Sequence, residues 1–132
     1  MKYQRVRNFY YGEFVDSESK QTDEVVSPLD GSQLSSVPMS TKNELNAAVD
    51  SAKQAAPAWA ASPIKERVQV FFRYRNLLEQ NSDELTALIS EENGKTWDEA
   101  KAEVDKSIEL TEFASSMPQL VSNEVLEVSR GV

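Results

Sequence analysis

Residues 41–59, TKNELNAAVDSAKQAAPAW, mark the point where the chain changes period. Thr41-Lys42-Asn43-Glu44 reads as a capping box, in which the threonine and glutamate side chains each satisfy an N–H that the first helical turn leaves unpaired. Leu45, Ala48, Val49, Ala52, Ala55, Ala56 and Trp59 then recur every three or four residues, the spacing of one apolar helix face. Pro57, close to the end, is expected to kink or stop that helix, because proline brings no N–H and crowds the preceding turn.

Upstream, the pattern is short and β-like. Asn8-Phe9-Tyr10-Tyr11-Gly12-Glu13-Phe14-Val15 is aromatic and β-branched around a glycine, which predicts two short strands about a tight turn. A polar loop over Asp16–Asp23 leads to a strand at Glu24-Val25-Val26-Ser27-Pro28. Pro28-Leu29-Asp30-Gly31 is a turn, and Gln33–Val37 returns as a second strand closed by Pro38.

Downstream, the helical period repeats. Ser62-Pro63 reads as a cap followed by proline at the first helical position, with Ile64, Val68, Phe71, Phe72, Arg75 and Leu78 on one face. Asn81 and Glu84 form a second capping pair ahead of Leu85, Leu88 and Ile89, and Asn93-Gly94 ends that helix. Thr96-Trp97-Asp98-Glu99 is another capping box, followed by a stripe of Trp97, Ala100, Val104, Ile108, Thr111 and Ser115 that Pro118 closes. The alternation in Glu124–Ser129 is that of a weak strand. The expected fold class is therefore α+β and mainly α-helical: a β and loop entry over 1–39, about four helices over 40–118 and a strand-like tail over 119–132.

Composition removes several function classes. The net charge is −8, with 14 basic residues scattered among 22 acids, which does not suit a polyphosphate partner, so no nucleic acid is expected. No apolar run is long enough to span a bilayer and no signal-peptide pattern follows the basic first residues, so the expected setting is cytoplasmic and off the membrane. There is no Cys and no His, which removes a thiolate nucleophile, disulfides, cysteine-based zinc sites and the commonest general base. The four glycines, Gly12, Gly31, Gly94 and Gly131, are too dispersed to cradle a phosphate. No catalytic, metal-binding or cofactor-binding residue is expected in these 132 positions.

Three groups still merit weighing as sites. Glu91-Glu92-Asn93-Gly94-Lys95 could do acid–base work or hold a metal, but an Asn-Gly helix end with solvated charges accounts for every residue. Lys106 could hold a substrate carboxylate, or be an ordinary helix lysine among Glu103, Asp105 and Glu109. Trp59, Phe71, Phe72, Trp97 and Phe113 lie on or beside the apolar faces, which favours core or interface packing over a ligand pocket, and the Tyr10-Tyr11 pair fits strand positions equally well.

Taken in order, these phrases resemble the aldehyde dehydrogenase superfamily. Asn8–Val15 is similar to its opening N-[YF]-I-N-G-E-[WF]-V phrase, and Val26–Gly31 to its V-x-N-P-A-T-G turn, with Ser27 in place of the usual asparagine. Val37-Pro38 and then Glu44–Trp59 match the first helix of the family, Arg67–Leu78 the second, and Glu92-Asn93-Gly94-Lys95 the E-x-G-K cap. Ile89–Lys95 and Glu103–Ala114 look most like the CoA-acylating methylmalonate-semialdehyde dehydrogenase branch, whose phrase E-V-x-R-G-I-E-x-V-E-F-A carries an arginine where Lys106 stands and a glycine where Ser107 stands.

The resemblance implies an N-terminal segment of the aldehyde dehydrogenase α/β fold. It also implies an activity that uses NAD, and possibly CoA, when the enzyme is complete. Family members attack the aldehyde with a cysteine and activate water with a glutamate, in motifs that do not occur here, so the segment is expected to be inactive alone and to bind NAD poorly. Lys106 is the one residue the resemblance places near substrate. The implied partner is the remainder of the dehydrogenase, or a second copy, covering apolar helix faces that the chain leaves exposed. A stand-alone helical module that docks on a dehydrogenase subunit or another protein is the alternative reading.

Overall fold

A computed structural model describes residues 1–120. Two antiparallel hairpins come first: β1 (Asn8–Tyr10) with β2 (Glu13–Val15), then β3 (Thr22–Val26) with β4 (Gln33–Pro38). In the first, Tyr11 and Gly12 carry φ of 54° and 81°, the two positive values of a turn whose twist suits a two-residue hairpin. Phe9 and Phe14 face each other across it with ring centroids 5.0 Å apart. The second hairpin has an irregularity at Val25/Val26 and is extended by an arm that sequence patterning did not single out. Lys2, Tyr3 and Val6 donate backbone N–H bonds to Leu34 and Ser36, and Ser35 Oγ donates to Gln4 O at 2.6 Å.

Four helices of at least three turns follow: α1 (Lys42–Ala61), α2 (Ile64–Gln80), α3 (Ser82–Asn93) and α4 (Trp97–Ser115). A one-turn helix, α5 (Met117–Leu120), completes the described residues. The capping boxes expected at Thr41 and Thr96 are both formed, and Gly94 ends α3 at φ 68°.

Several local expectations are corrected. Of the kink or stop expected at Pro57, the stop does not occur: α1 continues one further turn to Ala61, since a proline near the helix end forfeits a single helical bond. Ser62 does not cap α2: its hydroxyl donates back to Ala58 O at 3.0 Å, and Pro63 holds the cap position. Asn81 likewise turns back, its Nδ2 donating to Leu77 O at 2.7 Å, and makes no side-chain cap for α3. At both positions two helices are joined almost without a linker, and the side chain serves the carbonyls behind it rather than the N–H groups ahead. The fourth helix ends at Ser115, ahead of Pro118, which lies inside α5. Gln119 and Leu120 are helical, and the rest of the expected tail strand lies outside the described residues.

The core is small. Val68 and Leu78 of α2 and Ala100 and Val104 of α4 are buried where α2 packs on α4, and α3 packs against the same helix; Leu34 and Pro38 are buried in the β unit. Arg75 of α2, half-buried, pairs with Glu79 at 2.7 Å and reaches Glu112 of α4 at 3.4 Å. The β unit leans on the C-terminal end of α3, where a Cβ placed on Gly94 would sit 3.1 Å from Pro28 Cγ. Lys2 and Tyr3 close the same junction, both bonding the Glu91 carboxylate, Tyr3 Oη at 2.8 Å.

Candidate functional site

The Glu91–Lys95 cluster is divided among structural duties. Glu91 holds the N-terminal arm, and its carboxyl lies below the ordinary value because Lys2 and Tyr3 both donate to it. Asn93 Nδ2 donates to Ile89 O, Gly94 takes the left-handed cap conformation, and Lys95 pairs with Glu103. Among the described residues no group of His, Cys, Asp and Glu side chains is placed to hold a metal.

Glu44 is the carboxylate with the most perturbed environment. It accepts from Thr41 N at 2.6 Å, from Ser17 Oγ at 3.1 Å and from Glu18 N at 3.0 Å. These bonds, led by the Thr41 backbone and the Ser17 hydroxyl, lower its pKa to about 2. The N-cap role was legible in sequence, but its second role was not: one side chain both caps α1 and pins the loop after β2. All its donors being committed neighbours, it is a structural anchor rather than an acid–base group.

Lys106 sits on the solvent side of α4. Its side chain is 60% exposed and its ammonium contacts Glu109 at 2.8 Å, one turn along. No second cation converges on it among the described ion pairs, so the structure presents a reachable positive charge rather than a formed pocket.

The larger feature is an uncovered apolar surface. α1 touches the rest of the chain mainly through β1, where Tyr11 N donates to Ser51 Oγ and Asn8 pairs with Ser40. The stripe read from its sequence is therefore bare, with Leu45 62%, Val49 48% and Trp59 48% exposed. Phe72, Tyr74 and Leu77 of α2 and Leu110 and Phe113 of α4 are exposed as well. Of the five aromatic residues read as core or interface, four are thus open to solvent, and within this chain they are not core. A groove of about 180 Å³ between α1, α2 and α5 is lined by Trp59, Ile64, Arg67, Val68, Phe71 and Met117.

The total accessible surface puts a size on this. The chain exposes 10209 Å², whereas a compact monomer of 14.8 kDa exposes about 7,000 Å². Setting aside the largest area that residues 121–132 could present still leaves a surplus of about 1,800 Å². That is about twice the roughly 800 Å² that one partner contributes to a standard specific interface, the scale of an extensive contact.

Among the described residues both sheets are two-stranded and antiparallel, and no glycine-rich turn joins a strand to a helix N-terminus. No helix is long and apolar enough to cross a membrane among the residues described.

Comparison with known proteins bears on these surfaces. The model of the aldehyde dehydrogenase family matches residues 14–132. The malonate-semialdehyde dehydrogenase of Bacillus pumilus is 37% identical over 123 residues, 93% of this chain and 25% of that protein. A Sinorhizobium meliloti protein described as a methylmalonate-semialdehyde dehydrogenase, solved with NAD, superposes with a TM-score of 0.86 at 35% identity, covering 96% of this chain and 26% of that one. An NADP-dependent glyceraldehyde-3-phosphate dehydrogenase of Bacillus halodurans, solved with NADP, gives 0.87 at 26% identity over 96% of this chain and 27% of that one. The chain spans about a quarter of the length of the relatives it matches.

Proposed function

This chain belongs to the aldehyde dehydrogenase family, and from that premise we propose that its residues are the N-terminal segment of an NAD-dependent dehydrogenase of the malonate- or methylmalonate-semialdehyde type. The complete enzyme oxidises the aldehyde to an acid or an acyl-CoA. The observation that carries the reading is a surplus of exposed surface larger than one side of a standard interface, on a fold that superposes on a quarter of a much longer enzyme. The helices α1, α2 and α4 present apolar faces for the remainder of the dehydrogenase, which supplies the nucleophile and the cofactor site.

In this reading, Lys106 offers a positive charge to the carboxylate of a semialdehyde substrate. Its exposure and its single weak surface partner, Glu109, leave it free to turn toward an anion. Lysine gives that anion a point charge rather than the planar fork of the arginine in the resembling branch, so the carboxylate is attracted but less tightly oriented.

The test is NAD reduction with malonate semialdehyde, methylmalonate semialdehyde and propanal. The chain alone should give none, since 132 residues without a cysteine have no thiolate to attack the carbonyl. Joined with the complementary part of the Bacillus pumilus relative, it should support turnover. Lys106→Met should then raise KM for the two semialdehydes several-fold and leave propanal unchanged. Turnover by the chain alone would overturn the reading, and an equal effect of Lys106→Met on propanal would remove Lys106 from it.

A further inference from the structure

Arg67 lies on the inner face of α2, in the groove between Trp59, Ile64, Val68, Phe71 and Met117. Its Nε is buried and has no hydrogen-bond partner among the described residues, and none of the ion pairs there includes it. A helix supplies charge partners three or four residues away, and those positions hold Pro63, Ile64, Val70 and Phe71. The described residues therefore leave this Nε donor dry and unmatched, an arrangement that costs stability unless an acceptor arrives from elsewhere.

The remainder of the wall is apolar, and it continues into the bare face of α1 through Trp59. An occupant must bring an aliphatic stem for the aromatic sides and a carboxylate for the guanidinium. Three observations identify it: the relatives are about four times longer than the matched segment, the surplus surface exceeds one side of a standard interface, and the buried Nε without a partner among the described residues belongs to a cation. We infer that the remainder of the dehydrogenase seats an Asp or Glu side chain on Arg67, with an apolar neighbour in the groove, and that this pair sets the register of docking. The inference rests on the function proposed above and deepens it by naming the anchoring residue and the chemistry it recognises.

The experiment titrates the 132-residue chain with the complementary part of the Bacillus pumilus malonate-semialdehyde dehydrogenase in a calorimeter. Arg67→Met should weaken the complex about 30-fold, and Arg67→Lys, which keeps the charge but not the fork, should fall between. Thermal unfolding of the isolated Arg67→Met chain should occur no lower than that of the parent, because the variant removes a donor that the described residues leave unpaired. Absence of any complex at micromolar concentration would overturn the docking reading and the inference with it. A complex indifferent to Arg67→Met would overturn the inference alone. So would a lower unfolding temperature of the isolated variant, or a self-association of the parent chain that Arg67→Met abolishes, since either would place the acceptor within this chain or a second copy of it.

Discussion

Replacing Val104 with alanine should destabilise the chain far more than replacing Leu110 on the same helix, although leucine loses more atoms. Val104 is 2% exposed on the helix that packs against α2 and α3, whereas Leu110 is 57% exposed. Two carbons leave a packed site at Val104, worth about 0.8 kcal/mol each in transfer alone. The cavity they leave brings the cost to about 2–3 kcal/mol. Leu110→Ala removes side-chain area that is already largely wet, and its cost should stay under about 1 kcal/mol. Urea unfolding followed by helical circular dichroism measures both, and in thermal melts the Val104 variant should fall by about 10 °C. Among the described residues the buried apolar side chains are Leu34, Pro38, Val68, Leu78, Ala100 and Val104, so the loss is a large share of the stability available to a chain of this size. Equal costs at the two positions would refute the reasoning, because they would mean that the Leu110 face is covered in the isolated chain.

Two further outcomes test the anchors. Glu44 has a folded-state pKa of about 2 against an ordinary 4.5, so its contribution is fully present above the ordinary value and is lost as pH falls from 4.5 toward 2; the melting temperature of Glu44→Gln should accordingly show a shallower acid limb than that of the parent, and parallel limbs would remove Glu44 as the anchor. Gly94→Ala should cost about 1–2 kcal/mol for its left-handed backbone and more for the Cβ that would lie 3.1 Å from Pro28 Cγ. Gly12→Ala, with nothing within 4 Å of its Cβ, should bear the backbone cost alone, and an equal or larger loss there in urea midpoints would contradict the docking of the β3–β4 turn on α3.

Much of the fold is local, and local features were legible. Thr41-Glu44 and Thr96-Glu99 form capping boxes because three-residue spacing fixes the geometry of both partners, whatever surrounds them. Tyr11-Gly12 and Gly94 are where the chain must take positive φ, and glycine at those places announces it. Ser62 and Asn81 show the limit of this logic. The same residue types can serve the helix behind or the helix ahead, and only the nearly linker-free junctions of α1 with α2 and α2 with α3 turned them backward.

Periodicity by itself determined which residues share a face; it could not determine which faces meet. The stripes on α1 and α4 are of similar length and apolarity, yet Ala100 and Val104 are buried while Leu45, Val49 and Trp59 stand in water. The physical reason is that hydrophobic burial is non-directional: an apolar stripe specifies that it will be covered, not by what. Pairing depended on tertiary placement, in which α2, α3 and α4 fold together while α1 is held out along β1, although its junction with α2 is as short as theirs. The same holds for charge. The sequence contains Arg67 with apolar residues and a proline three and four positions away, but only the packed groove shows that its Nε is dry and without an acceptor among the described residues.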